Sequence, residues 1–194
     1  MSRQRKFDNR DFARIAVFSA LIIVGGLISI PVGSVPITLQ TLAVMLAGAV
    51  LGPWKGALSV IVVLVLAAVG LPVLAGGTGG LAQFVEPAGG YLFGFILGAV
   101  LTGLVMRAGH GVTWWKTLLA CLAGNFGIYL LGIPWTAIAT GQTLAETLVS
   151  ALVFVPGDTL KIVIVVLVVQ LLWRAYPAAF PQEMRERRAT GGRS

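Results

Sequence analysis

The chain has 194 residues, of which 57% are hydrophobic and only 11% charged, and its formal net charge is +7. Soluble domains carry about 25% charged residues, so this composition excludes an ordinary soluble enzyme or a nucleic-acid-binding module and indicates a protein embedded in lipid. The single cysteine, Cys121, cannot form an intramolecular disulfide, and it cannot complete a metal site with the single histidine, His110. We therefore expect no metal and no cofactor.

Six apolar runs predict six transmembrane helices, at residues 12–30, 37–51, 57–70, 89–106, 117–140 and 156–173. With an even number of spans, both termini and the connections at 52–56 and 107–116 share one side, and every Lys and Arg except Lys161 falls there. The positive-inside rule assigns that side to the cytoplasm. The prediction is an all-α integral membrane protein with one six-helix domain, 1–194, and basic cytoplasmic ends at 1–11 and 175–194.

The second and third runs are short for membrane spans. About fifteen residues make roughly 22 Å of helix, whereas the hydrocarbon core is about 30 Å thick. Either flanking residues complete these spans, or the helices end early at a vestibule, where non-helical backbone is tolerated. The glycine-rich stretch 71–80, which contains Gly77, favours a vestibule, because such backbone can approach a ligand closely. An exposed flexible linker is the alternative for this stretch.

Asp158 and Lys161 lie at the outer start of the sixth run, three residues apart and therefore on one helix face. Each charge costs about 2.5–3.5 kcal/mol at membrane depth. One interpretation is an ion pair that stabilises the bundle. A ligand site is favoured, because a cation in the first turn opposes the helix dipole and is better explained by a bound anion. The carboxylate would accept hydrogen bonds from N–H donors of the ligand.

Other polar residues in the apolar runs are weaker candidates for ligand contacts. Thr38 and Gln40 begin the second run, and Asn125 and Tyr129 share a face of the fifth, four residues apart. Each of them can instead hydrogen-bond a neighbouring helix, which is the more common role of a polar residue in a membrane helix.

Small residues predict close helix contacts. Gly90, Gly94 and Gly98 form two overlapping GxxxG steps, and Gly48 and Gly52 form another.

Ala16 and Ala20 give the first run a small face that suits a partner helix, in this chain or in another. Tyr91, next to Gly89 and Gly90, is either an interfacial aromatic residue or a stacking platform. The sequence has no Walker phosphate loop, no HExxH and no GxSxG motif, so the chain is not expected to hydrolyse ATP or to be an enzyme of those classes.

Four ordered motifs resemble one family over nearly the whole chain: PITLQTL at 36–42, GLPV at 70–73, PAGGYL with Gly and Phe at 87–95, and PGD with Lys at 156–161. They resemble the BioY family, the biotin-specific substrate-capture (S) subunits of energy-coupling factor (ECF) transporters. Glu86 and Ala88 stand where the family usually has glycine and threonine.

The resemblance implies a six-helix S-component bundle in the cytoplasmic membrane that binds biotin near the outer surface, beneath the loops after the first and third spans. It further implies that Ala16 and Ala20 face an integral coupling protein, which works with cytoplasmic ABC-type ATPases. A homo-oligomer is left open. The candidate substrate-binding residues are Asp158, Lys161, Gly77, Gly89, Gly90, Tyr91, Asn125 and Gln40.

Biotin fits this chemistry, since its carboxylate suits a cationic helix start and its ureido N–H groups suit a carboxylate. Other anionic vitamins fit nearly as well, so the resemblance selects biotin. The main alternative is a self-sufficient secondary transporter of biotin or another small anionic vitamin, in which Asp158 titrates, although the inverted repeats of such transporters are not visible. A membrane enzyme and a packing subunit without a ligand are the remaining alternatives.

Overall fold

The computed structural model describes residues 8–108 and 111–191, so His110 lies outside the described residues. Two short strands, β1 (Ser29–Ile30) and β2 (Ile37–Thr38), pair antiparallel as a hairpin. The helices in the described part of the chain are α1 (Asn9–Leu27), α2 (Gln40–Leu51), α3 (Pro53–Ala68), α4 (Gly89–Arg107), α5 (Trp114–Thr140), α6 (Leu144–Ala151), α7 (Val155–Ala175) and α8 (Gln182–Gly191).

The six predicted spans correspond to α1 to α5 and α7, which confirms the helical membrane bundle. By length and composition, α4, α5 and the continuous helical run Leu144–Ala175 are able to cross a membrane, whereas α2 and α3 are shorter apolar helices. The prediction for the first run was wrong at its end, because the helix stops at Leu27 and the chain continues into β1. The hairpin, α6 and α8 were not predicted.

Polar contacts show that the helices alternate in direction. At one end, the Arg14 Nη2 group donates to the Ala178 carbonyl at 2.7 Å, and Lys55 pairs with Asp11 at 2.5 Å. These contacts bring together the start of α1, the α2–α3 turn and the segment after α7. At the other end, the Trp135 Nε1–H group donates to a backbone carbonyl just before α4. The basic residues predicted to be cytoplasmic therefore meet at one end of the bundle.

The turn between α2 and α3 depends on Gly52. Its φ of +82° lies in the region that favours glycine, and Pro53 then begins α3 with its fixed φ. Gly52 is thus a turn residue rather than the helix-packing residue that the sequence predicted. Gly48 does pack closely, since a Cβ atom there would lie 3.0 Å from the Thr102 Cβ atom on α4.

The predicted packing role of the glycines on α4 is confirmed. A Cβ atom at Gly94 would lie 2.6 Å from the Ile128 carbonyl oxygen, and one at Gly98 would lie 2.6 Å from the Ile128 side chain. Gly90 meets Leu131 and Trp135 in the same way. The resulting close approach of α4 and α5 fixes the α5 face that reaches the site described below.

Two clusters of buried side chains fill the bundle, one in each half. The cluster towards the basic end includes Ile15, Val165 and Trp173, and the cluster towards the other end includes Ile22 and Ile128. Trp173, near the end of α7, is only 7% exposed and packs edge-on against the Phe180 ring at 5.1 Å.

Candidate functional site

Asp158 and Lys161 lie in the first two turns of α7, at the end of the bundle opposite to the basic residues. The two side chains are buried, with 5% and 6% of their surface exposed. The Lys161 ammonium donates to the Asp158 Oδ1 atom at 3.0 Å and to the Thr41 hydroxyl on α2, also at 3.0 Å. The two charges therefore neutralise each other inside the protein, and their attraction offsets part of the cost of burying them.

Helix α5 supplies two further donors to the same carboxylate. The Asn125 Nδ2 group donates to Asp158 Oδ2 at 3.3 Å, and the Tyr129 hydroxyl donates to the same oxygen. Both reach it because residues four apart lie on one helix face. The prediction that Asn125 and Tyr129 form hydrogen bonds with a neighbouring helix is confirmed. The Asn125 Oδ1 atom is buried and has no hydrogen-bond partner among the described residues, but Asn125 lines neither cavity described below, so its contact with a ligand stays a prediction.

A small cavity of about 50 Å³ lies against the charge pair. Residues 35–38 of the hairpin form one wall, and the rings of Tyr91, Phe95 and Phe154 form much of the other. The hairpin backbone is non-helical at membrane depth and lines a cavity, which is the condition under which such backbone is tolerated. The predicted vestibule therefore exists at the start of α2, but the hairpin lines it, and the stretch 71–80 is not among its lining residues.

A larger cavity of about 320 Å³ lies above the small one, between the hairpin turn and the α6–α7 junction. This volume falls in the range of small-molecule sites, about 300–1,000 Å³. Val35, Tyr91 and Phe154 line both cavities, so the two are adjacent. The Tyr91 ring is edge-on to Phe154 at 6.4 Å and to Tyr129 at 6.1 Å. Together the cavities offer an ionic inner end, an aromatic middle and a polar outer end.

The polar outer end contains hydrogen-bonding side chains that sequence analysis missed. Ser34 and Gln142 line the larger cavity, as do Thr147 and Ser150 on α6. Within the described chain, the Ser34 hydroxyl and the Gln142 amide have no hydrogen-bond partner. A readable signal did exist for α6, because Thr143 and Glu146 form a capping box that starts this helix.

Gln40 is buried beside the site but faces away from both cavities. Its backbone N–H donates to the Thr38 hydroxyl at 3.3 Å, and that hydroxyl donates to the Gln40 Oε1 atom at 3.4 Å. The Gln40 amide group lies against Gly26 of α1. Gln40 thus shapes the start of α2, and its contact with a ligand stays a prediction.

The three candidate glycines do not line either cavity. Gly89 packs against Phe84, and Gly90 packs against Trp135, so both serve the contact of α4 with its neighbours. Gly77 lies in a compact turn, in which the Leu74 N–H donates to the Thr78 carbonyl at 2.9 Å. Leu74 is 2% exposed, which does not agree with the interpretation of 71–80 as an exposed linker. Ligand contact by these glycines stays a prediction.

Ala16 and Ala20 are exposed on α1, towards the basic end of the bundle. Neither is packed inside this chain, so a small face is free for a neighbouring helix or for lipid. The two alanines lie about two and three helical turns before Leu27, where α1 ends and the chain enters the hairpin that lines the small cavity.

Comparison with known proteins identifies the family that shares this architecture. The BioY family model matches residues 1–178. The biotin transporter BioY of Rhizobium etli is 40% identical over 178 residues, covering 87% of this chain and 95% of its own length. The biotin transporter BioY of Rhodobacter capsulatus is 40% identical over 185 residues, covering 88% and 96%.

A solved structure supports the same assignment. The crystal structure of the S-component for biotin from an ECF-type ABC transporter superposes with a TM-score of 0.80, at 34% identity, over 91% of this chain and all of that chain. The family match, the curated relatives and the shared fold agree with the four sequence motifs. The chain belongs to the BioY family.

Proposed function

We propose that this chain captures biotin at the outer face of the cytoplasmic membrane and delivers it to the cell as the S subunit of an ECF-type transporter. The observation that carries the proposal is a buried, neutralised charge pair at the inner end of a cavity that is aromatic in its middle. The named relatives, which are biotin transporters, and the solved S-component for biotin support it.

The geometry favours the ureido ring of biotin at the charge pair. A ureido group has two N–H donors and one C=O acceptor, which match the Asp158 carboxylate and the Lys161 ammonium that line the small cavity. The biotin carboxylate at that position would face the Asp158 carboxylate, and like charges repel strongly at low dielectric. The valerate carboxylate then points outward, to the Ser34 hydroxyl and the Gln142 amide.

Calorimetric titration of the detergent-solubilised protein with biotin and with biotin methyl ester tests both the ligand and its orientation. Lys161→Ala should weaken both ligands by similar factors, because it acts on the ureido end. Gln142→Ala should weaken the acid several-fold and leave the ester unchanged. A failure of the unmodified chain to bind biotin would refute the proposed function. If Lys161→Ala instead weakens biotin much more than the ester, the biotin carboxylate binds at Lys161, as the sequence predicts.

We further propose that the exposed small face of α1 contacts an integral coupling protein, which works with cytoplasmic ATPases. Ala16 and Ala20 are exposed, and small residues permit close approach of a partner helix. Replacing both with Trp should abolish assembly and concentrative uptake while biotin affinity stays unchanged, because the ligand cavities lie at the opposite end. The matched control is Val17→Trp with Leu21→Trp, on exposed positions of the same helix turned by about 100°.

The outcomes separate the alternatives. Uptake lost only in the alanine variant supports docking at this face, and uptake retained in it places the docking face elsewhere. Uptake lost in both variants would mean that bulk on α1 is harmful in general. Uptake in a host that lacks every coupling protein would favour the self-sufficient transporter.

A further inference from the structure

A basic cavity lies at the cytoplasmic end of the bundle, outside the ligand site. It has a volume of about 490 Å³ and is lined by Arg10, Ala13, Arg14, Tyr176, Ala178 and Arg185. The first turns of α1, the turn after α7 and the first half of α8 surround it. Two arginines of α1, Arg10 and Arg14, and one of α8, Arg185, thus face one space.

Among the described residues, no carboxylate forms a salt bridge with the three arginines of this cavity, and Arg14 has only a longer-range attraction to Asp11. The chain has seven acidic residues, of which Asp8, Asp11, Glu183 and Glu186 are at this end. Each of these four acids has another partner. Asp8 caps α1, and Asp11 pairs with Lys55 at 2.5 Å. Glu183 pairs with Arg107, and the Glu186 carboxylate accepts a hydrogen bond from the Gln182 amide.

The arginines of the cavity keep N–H donors that form no hydrogen bond within the described residues. Arg14 donates from one nitrogen to the Ala178 carbonyl at 2.7 Å, and a guanidinium has five N–H donors. In the described part of the chain, no hydrogen bond or ion pair engages Arg10 or Arg185. Three guanidinium groups that form no salt bridge within the described residues suit an external anion with several oxygens, such as a phosphate group.

The residues around the cavity favour a lipid headgroup as the source of such a phosphate group. Val17 and Leu21, one and two turns beyond Ala13 on α1, are 57% and 42% exposed, which gives an apolar track leading from the cavity into the membrane. Tyr176 is exposed at the rim, and tyrosine is enriched at the membrane–water boundary. A basic cavity at the cytoplasmic boundary with an adjoining apolar track matches a phospholipid, with its headgroup phosphate in the cavity and an acyl chain along α1.

We propose that this cavity binds the headgroup of an anionic phospholipid from the cytoplasmic leaflet. The bound lipid would tie the start of α1 to the segment after α7. The proposal is independent of the proposed function, because it uses no residue of the ligand cavities.

Native mass spectrometry of the delipidated protein, titrated with phosphatidylglycerol or with phosphatidylcholine, tests the proposal. The unmodified chain should retain phosphatidylglycerol in preference to phosphatidylcholine. Removing Arg10 and Arg185 as Gln variants together should weaken phosphatidylglycerol about twenty-five-fold, since each basic residue near a membrane surface contributes roughly fivefold. Arg14 is kept, because its bond to Ala178 supports the fold. Arg174→Gln with Lys116→Gln removes the same charge from the same end outside the cavity and should have little effect.

Each other outcome overturns the proposal. Equal retention of the two lipids, or equal losses in the cavity and control variants, would mean that no headgroup site exists. Displacement of phosphatidylglycerol by an excess of inorganic phosphate would identify a site for free anions. Loss of coupling-protein association with unchanged lipid retention would identify a protein contact. Biotin affinity should stay unchanged in both double variants, which verifies that they are folded.

Discussion

The charge pair on α7 is formed within the bundle and is proposed to bind the ligand, and paired substitutions can distinguish a role in stability from a role in binding. Asp158→Asn leaves the Lys161 ammonium buried at 6% exposure without its counter-ion. Breaking a buried ion pair in this way costs about 3–5 kcal/mol. For a chain of this length, about 1 kcal/mol shifts Tm by roughly 2–4 °C, so the expected loss is about 6–20 °C.

The double variant Asp158→Asn with Lys161→Met tests binding without the unpaired charge. Replacing both members of a buried pair with neutral residues of similar size is often neutral for stability. We therefore expect the double variant to recover most of the lost Tm. It should still not bind biotin well, because two hydrogen bonds to charged groups are missing, each worth about 1.5–3 kcal/mol, so the affinity should fall about 10²–10⁴-fold.

The measurements are thermal unfolding followed by tryptophan fluorescence, and calorimetric titration with biotin, both in the same detergent. Glu86→Gln is the matched control, since it removes a carboxylate at the same end of the bundle that is exposed rather than buried. A double variant that recovers both stability and biotin affinity would refute the ligand role of the pair. A double variant as unstable as Asp158→Asn would refute the account of the lost stability.

Three further predictions concern packing and capping. Gly94→Leu inserts a side chain against α5 and should lower Tm by about 2–12 °C, whereas Gly141→Asn, at an open position with φ of +69°, should not. Trp135→Phe removes a hydrogen bond of 3.0 Å worth about 1 kcal/mol, so Tm should fall by about 2–4 °C. The Thr143 hydroxyl accepts a hydrogen bond from the Glu146 backbone N–H and caps α6, so Thr143→Ala should lower Tm by about 2–4 °C, for a cap worth about 1 kcal/mol.

Apolar periodicity and charge were sufficient to predict the helices that cross the bundle and their alternating direction. They were not sufficient for the hairpin, because each of its strands has only two residues, at the end of the first run and at the start of the second, which is too short for an alternating period. Apolar composition does not distinguish a helix from a short strand that lines a cavity. The helix α6 was missed for a similar reason, since its eight residues are too few for a clear period.

The charge pair could be found from sequence, because the cost of burying a charge does not depend on which helix faces it. The partners of the pair could not be assigned in the same way. The spacing of Asn125 and Tyr129 shows that they share a face of α5, but it does not show that this face meets α7 rather than lipid. That choice depends on the close packing of α4 against α5 through Gly94 and Gly98, which rotates α5 into position. A glycine pattern shows that two helices approach closely, and only the assembled bundle shows which side chains the approach brings together.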